Sequence, residues 1–445
     1  MKKNTIYTIV LLLFAGAIAF IIFKFKKDEK EKTEMVYELQ PRTGPMAKLE
    51  EWKITQTSAS EYLAAVKTNP TDVKSRLKLA ALYIQEARVT GNYMYYDKAA
   101  MKYLNEVLAQ DSTNFEGLTY KALIHLSQHH FSDGLAVAKK AQIINPYNAF
   151  IYGLMVDGNV EMGNYDTAIS YADKMMGIRP DIRSYSRVSY IREIHGDYPG
   201  AIEAMKMAVQ SGVPGDEGTE WARIQLGHLY ENSGDMKAAE MHYTIALQNR
   251  PNYAYAMAGL ARIAASKKDY DTAIKLYQTA DTLVSDYSFQ EELIDIYKQT
   301  GDNDRANLAG KKVIDVLLKH AQSGINDETA GHYADRELSY AYLKMGNYDK
   351  ALEHAITEYN RRPNNIDVNE TVAWAYYNKG EYAKALPYIK TALKTKSKNP
   401  TLLCRAGLIF SKNGDVANAK TYVAEALKNN PNIAADLRMQ VQPIM

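Results

Sequence analysis

Apolar residues along most of this chain recur at helical spacing, interrupted on a fixed beat. "MGNYDTAISYADKM" at Met162 returns as "MGNYDKALEHAITEY" at Met345 and as "KGEYAKALPYIKTAL" at Lys379. Between and after them stand "HGDYPGAIEAMKMAV" at His195, "SGDMKAAEMHYTIAL" at Ser233, "KKDYDTAIKLYQTA" at Lys267, "TGDNDRANLAGKKV" at Thr300 and "NGDVANAKTYVAEAL" at Asn413. Gly346, Gly380 and Gly414 lie 34 apart, as do Pro146, Pro180 and Pro214. Each unit predicts a first helix ended by glycine, an aspartate or asparagine, then a second helix that stops before proline. Glycine takes up the left-handed backbone that ends a helix, and proline cannot continue one.

Several slots agree in register. A small residue sits in the first helix (Gly227, Ala261, Ala373, Gly407), with an aromatic three positions on (Tyr230, Tyr376, Phe410; Tyr342 stands alike). An alanine opens the second helix at Ala168, Ala201, Ala239, Ala273, Ala306, Ala351, Ala385 and Ala419. Small residues let neighbouring helices approach, while aromatics fill the gaps between them. A 34-residue period of two helices in this register resembles the tetratricopeptide repeat family over roughly residues 72–431. The resemblance implies an all-α, right-handed superhelical solenoid with a concave groove lined by first helices, in a membrane-anchored type known from bacteria.

Ten units are counted, from 72 to 431, preceded by a half repeat at 49–70 and followed by a C-terminal cap at 432–445. The first unit is stretched through "EARVTGNYMYYDK", and the unit between Gly301 and Gly346 carries an insertion around "HAQSGINDETAGHYAD".

Ahead of the repeats the pattern changes. Thr5–Phe23 holds 19 residues without a charge, roughly 28 Å of helix, close to a bilayer core. Residues 1–27 therefore read as an uncleaved signal-anchor, with a cleaved signal peptide as the alternative, and 28–48 as a polar stalk. The expected location is a single-pass inner or plasma membrane protein. Flanking lysines favour a cytoplasmic bulk, whereas the "MKK" opening favours an extracytoplasmic or periplasmic one; the reading leans to the latter.

Charge and composition remove other classes. The formal net charge is +2. Residues 1–32 carry seven lysines against Asp28, Glu29 and Glu31, so the rest is near −2 and offers no basic face for nucleic acid. Cys404 is the only cysteine, which excludes an intramolecular disulfide and a cysteine zinc site. No phosphate-binding glycine loop, HExxH or GxSxG occurs, so no enzyme and no cofactor is expected. His125, His129 and His130 raise a metal question. In register, however, His129 takes the turn position of Gly163 and His125 the aromatic slot, and no carboxylate or second histidine face is evident beside them, so no metal is expected.

What the resemblance leaves for function is the groove face of the first helices: Asp157, Arg183, Ser186, Tyr190, Glu193, Trp221, His228, Glu231, Tyr255, Arg262, Asp295, Tyr333, Arg336, Tyr340, Asp367, Glu370, Trp374 and Tyr377. Aromatics interleaved with both charge signs suit peptide recognition. The expected function is a non-catalytic scaffold that holds a protein or peptide, in envelope or membrane-complex assembly, anchored to the membrane by its N-terminal helix. A groove for a non-protein ligand such as a glycan is the alternative. The two-lysine clamp of chaperone-binding relatives is not apparent.

Overall fold

The computed structural model describes residues 3–325 and 331–445, and among them every regular element is helical. Two compact units result, 1–41 and 42–445.

The first unit is one long helix, α1 (Lys3–Glu34), followed by chain without regular secondary structure. The expected membrane anchor is corrected here. Among the described residues no helix is long and apolar enough to cross a membrane. Side chains of α1 are described for Tyr7 and for residues 10–27; those of Thr5, Ile6, Thr8 and Ile9, part of the expected span, lie outside the described residues. Over the described stretch the uncharged run from Val10 to Phe23 meets Lys24, Lys26 and Lys27. That run is about 21 Å of helix, against roughly 30 Å for a bilayer core. The single-pass location is therefore not retained.

The second unit begins with a short 3-10 turn (Gly44–Lys48) and α2 (Glu50–Thr68). Arg42 is buried and bonds Glu86 at 2.5 Å, which fixes the segment ahead of α2 to the repeats. Ten helix pairs follow. They are α3 (Val73–Thr90) with α4 (Tyr93–Gln110), α5 (Phe115–Ser127) with α6 (Phe131–Ile144), α7 (Ala149–Glu161) with α8 (Tyr165–Ile178), α9 (Ile182–Ile194) with α10 (Tyr198–Gln210), and α11 (Glu217–Asn232) with α12 (Met236–Asn249). Then come α13 (Ala254–Ser266) with α14 (Tyr270–Leu283), α15 (Tyr287–Gln299) with α16 (Asn303–Ile325), α17 (Asp335–Lys344) with α18 (Tyr348–Arg361), α19 (Ile366–Asn378) with α20 (Tyr382–Ala392), and α21 (Pro400–Lys412) with α22 (Val416–Asn429). A short α23 (Ala435–Val441) covers the end, burying Leu437 and Val441.

The turns follow the chemistry of their residues. Gly163 and Gly196 take φ of 78° and 76°. The next acid or amide caps the second helix, as Asp197 accepts from the Gly200 N–H at 3.0 Å and Asn347 from the Lys350 N–H at 3.2 Å. The stretched first unit is absorbed as two longer helices, α3 and α4, of 18 residues each. The insertion after Gly301 lengthens α16 to 23 residues; residues 326–330 of it lie outside the described residues. Asn369, which opens the triplet Asn369-Glu370-Thr371 with the form of a glycosylation acceptor, is buried in α19 and donates to Pro363 O at 2.8 Å.

Beyond neighbour contacts the solenoid touches itself. Asn365 reaches the carbonyl of Glu161 across 204 positions, Asn430 that of Glu231 across 199, and Arg250 the carboxylate of Glu51 across 199. Six repeats of 34 residues make 204, so the chain returns onto itself once per about six repeats, and turns of the early repeats meet connections of the late ones. The glycines at this seam do a second job. A Cβ on Gly163 would stand 2.3 Å from the backbone of Asn364, and one on Gly196 2.6 Å from Lys396 O. By contrast Gly346, Gly380 and Gly414 have nothing within 4 Å.

Candidate functional site

The first-helix residues divide into those the fold has already paired and those it has not. Asp157 receives both Nε (2.8 Å) and Nη2 (2.6 Å) of Arg187 from the next repeat. Glu231 pairs with Arg262 at 3.1 Å and also accepts from the Tyr243 hydroxyl at 2.7 Å. Glu193 accepts from Asn232 at 3.2 Å, Asp295 takes Lys344 at 2.7 Å, and Glu370 takes Arg405 at 2.9 Å. All of these bonds except that of Tyr243, which stays within one repeat, cross between repeats, so these groups form rungs along the first helices. Arg187 and Arg405 do not figure in the sequence reading. Both stand nine positions before a turn glycine (Gly196, Gly414), a slot that reaches back to the preceding first helix.

Four more expected residues carry packing or contact duties. Ser186 is buried and donates to Ile182 O of its own helix at 2.6 Å. Tyr255 packs on Tyr253 and Phe289. Arg183 is exposed but lies over the Phe150 ring at 4.7 Å. Tyr333 precedes α17 and meets His130 and Arg361, with ring-to-ring and cation-to-ring distances of 4.1 and 4.0 Å.

The rest form two groups. On α9 and α11, Tyr190 and Trp221 keep 38% and 37% of their surface exposed, while His228 sits edge-on to Tyr243. Burial, then the charge of Arg262, holds His228 well below the usual imidazole range, so its ring is neutral. On α17 and α19, Tyr340 lies beneath the guanidinium groups of Arg336 (5.5 Å) and Arg405 (5.4 Å), and Trp374 stacks on Tyr377 at 4.8 Å with Arg405 4.9 Å over its ring. The two groups feel each other. The Tyr190 hydroxyl is pushed well above its ordinary value by burial first, then by the charges of Asp367 and Glu161. Burial opposes the charge on Arg336, yet Asp367, Tyr340, Glu337 and Glu161 outweigh it and hold the guanidinium above its usual value. Burial likewise raises the carboxyls of Glu193 and Glu370. First helices four or five repeats apart thus bring aromatic and charged groups close enough for the charges of one to act on the other.

Among the described residues one set of side chains has the composition of a metal site: His129, His332 and Glu337, with ligand atoms all within 4.8 Å of one another.

Residues 224–288 and 336–400 match one profile described as the tetratricopeptide repeat, and residues 400–433 match a second of the same description. The chain carries tetratricopeptide repeats. Proteins of these repeats are generally non-catalytic scaffolds for protein interaction. No curated protein matches this tetratricopeptide repeat chain. Solved structures similar to it include the human IFIT1 dimer with m7Gppp-AAAA, 14% identical, covering 78% of this chain and 79% of that one at a TM-score of 0.48. The APC/C hetero-tetramer Cut9–Hcn1 is 14% identical, covering 89% and 74% at 0.40. A tetratricopeptide repeat protein from Parabacteroides merdae is 19% identical, covering 59% and 98% at 0.35. Likenesses at this level carry no argument about what this chain binds.

Proposed function

We propose that the interior of the superhelix binds an extended protein or peptide segment, gripped by Tyr190 and Trp221 on one wall and by Arg336, Tyr340, Asp367, Trp374 and Tyr377 on the other. The observation that carries this reading is the aromatic surface left exposed at Tyr190 and Trp221, beside the charges of Asp367 and Arg336 that act on the Tyr190 hydroxyl. Flat aromatic contact with directional charged groups in a desolvated interior is how peptide segments are held with specificity. The rungs Asp157–Arg187 and Glu231–Arg262 set the wall rather than meet the ligand. The envelope and membrane-complex role expected from the sequence rested on the anchor and is not part of the proposal.

A glycan ligand is the second reading, resting on Trp221, the one exposed tryptophan of three. Trp374, the other groove tryptophan, is engaged by Tyr377 and Arg405, which counts against a sugar platform.

Peptides selected from a random library on the full chain test the proposal. Tyr190→Ala and Arg336→Ala should each weaken a selected peptide by about 2 kcal/mol, on the order of 30-fold. Leu308→Ala, an exposed position on the second helix α16, should leave affinity unchanged. Binding indifferent to both groove variants, or glycans captured in place of peptides, would refute it.

A further inference from the structure

The turn between α5 and α6 lies on the seam where early repeats meet late ones, and it departs from its siblings. Where Gly163 and Gly196 let backbone press on backbone, this turn has His129, held at a φ of 62°. Lys268 shares that conformation at 63°, so the backbone alone assigns nothing to His129. What sets it apart is what its ring meets. His129 Nδ1 lies 3.2 Å from Tyr333 O and 3.8 Å from Glu337 Oε1, and its ring centroid is 4.2 Å from that of His332. The fold supplies the carboxylate and the second histidine face that are missing beside His129 in the sequence, from a segment 204 positions away.

Three features are those of a ligand set. The donors are two imidazoles and one carboxylate, the combination that suits zinc and related divalent ions and leaves an open position. A ring N–H of His129 faces a backbone carbonyl, the outer contact that fixes the tautomer of a ligating histidine. Oε2 of Glu337 is buried and has no hydrogen-bond partner, an unsatisfied oxygen on the carboxylate that faces His129. The ligand atoms are within 4.8 Å of one another. Zinc would draw them to about 3.4 Å, given bonds of roughly 2.0–2.1 Å, a movement that side-chain rotation provides. His130, against Tyr333, and His320, 6.4 Å from His332, stand around the set.

We propose that His129, His332 and Glu337 form a binding site for a divalent transition metal ion of the zinc class, which clasps the α5–α6 turn to the segment leading into α17. The site is separate from the peptide-binding reading and does not depend on it. An ion there ties two parts of the chain six repeats apart, so its effect is to hold the superhelix in one pitch.

Chelator-treated full-length protein titrated with Co2+ tests this, with Zn2+ competition and thermal melting as second readouts. One Co2+ per chain, a visible absorption band displaced by Zn2+, and a melting temperature raised by Zn2+ are expected. His129→Gly restores the residue type of the sibling turns and should fold, yet bind at least tenfold more weakly. Glu337→Gln, nearly isosteric, should lose binding similarly, and it decides the matter if His129→Gly is unstable. His125→Asn should bind as the parent does. Absence of a Co2+ band, or equal affinity in the parent and Glu337→Gln, would overturn the proposal.

Discussion

The backbone N–H of Ile366 donates to the hydroxyl of Tyr165 at 2.9 Å, across 201 positions of sequence. Both groups lie at the seam and both residues are buried. Tyr165→Phe removes the acceptor and leaves a buried amide orphaned, so a loss of about 1–3 kcal/mol is expected. Tyr198→Phe is the matched control, because the Tyr198 hydroxyl is buried with no partner and its removal should be neutral or stabilising. Urea denaturation of the two variants checks the pair; equal losses would contradict the assignment.

Arg362 joins Glu358, at 2.5 Å, and Glu161 of the early repeats. Arg362 and Glu358 are almost wholly buried. Replacing Arg362 by Met leaves the carboxylates of Glu358 and Glu161 without it, and a loss of about 3–5 kcal/mol follows. The exposed pair Lys206–Glu203 is the contrast: Lys206→Met should shift the denaturation midpoint hardly at all. Similar effects of the two substitutions would mean that the seam carries no special stability.

Tyr243 is fully buried against two glycines of adjoining first helices. A Cβ at Gly227 would stand 2.3 Å from its ring and one at Gly259 2.6 Å. Gly227→Ala and Gly259→Ala should each destabilise by about 1–3 kcal/mol through overpacking. Gly218→Ala, on α11 with nothing within 4 Å of the added carbon, should stabilise by about 0.5 kcal/mol through helix propensity. Thermal melts of the three variants give the signs directly.

Burial pushes the Asp97 carboxyl up to about 7, from 3.8, against the opposing hydrogen bond from Ser127 at 3.1 Å. The folded chain therefore holds this proton where the unfolded chain has lost it. Stability from this group is present below the unfolded value and is lost as pH rises towards 7, by up to about 4 kcal/mol. Asp97→Asn should flatten the fall in stability between about pH 4 and pH 7. Parallel pH profiles for parent and variant would show that Asp97 does not drive it.

The repeats were legible because their contacts are local. The small slot returns after 34 positions from Gly227 to Ala261 and from Ala373 to Gly407, and the aromatic slot from Tyr376 to Phe410, since helix pairs pack on their neighbours in one way. The seam was not, because Tyr165–Ile366 and Glu161–Arg362 depend on how many repeats complete a turn, and each pair occurs once. The same reason hid Glu337 and His332 from His129. The partners of the first-helix charges were not legible: the register puts Asp157, Glu231 and Arg262 in the expected groove set, but it does not show that Arg187 engages Asp157 or that the Tyr243 hydroxyl engages Glu231. Arg187 and Arg405 could have been found by aligning the position nine before each turn glycine. The apolar N-terminal run read as a span from its sequence length, and the described part of the helix is too short and too soon charged to be one.

The binding claim is tested most directly by placing a photo-crosslinking amino acid at Tyr190 and, separately, at Leu308, and exposing each to a library-selected peptide. The account predicts efficient crosslinking from position 190, suppressed by Arg336→Ala, and none from position 308. Crosslinking from 308 with none from 190 would place the peptide on the outer surface and contradict it.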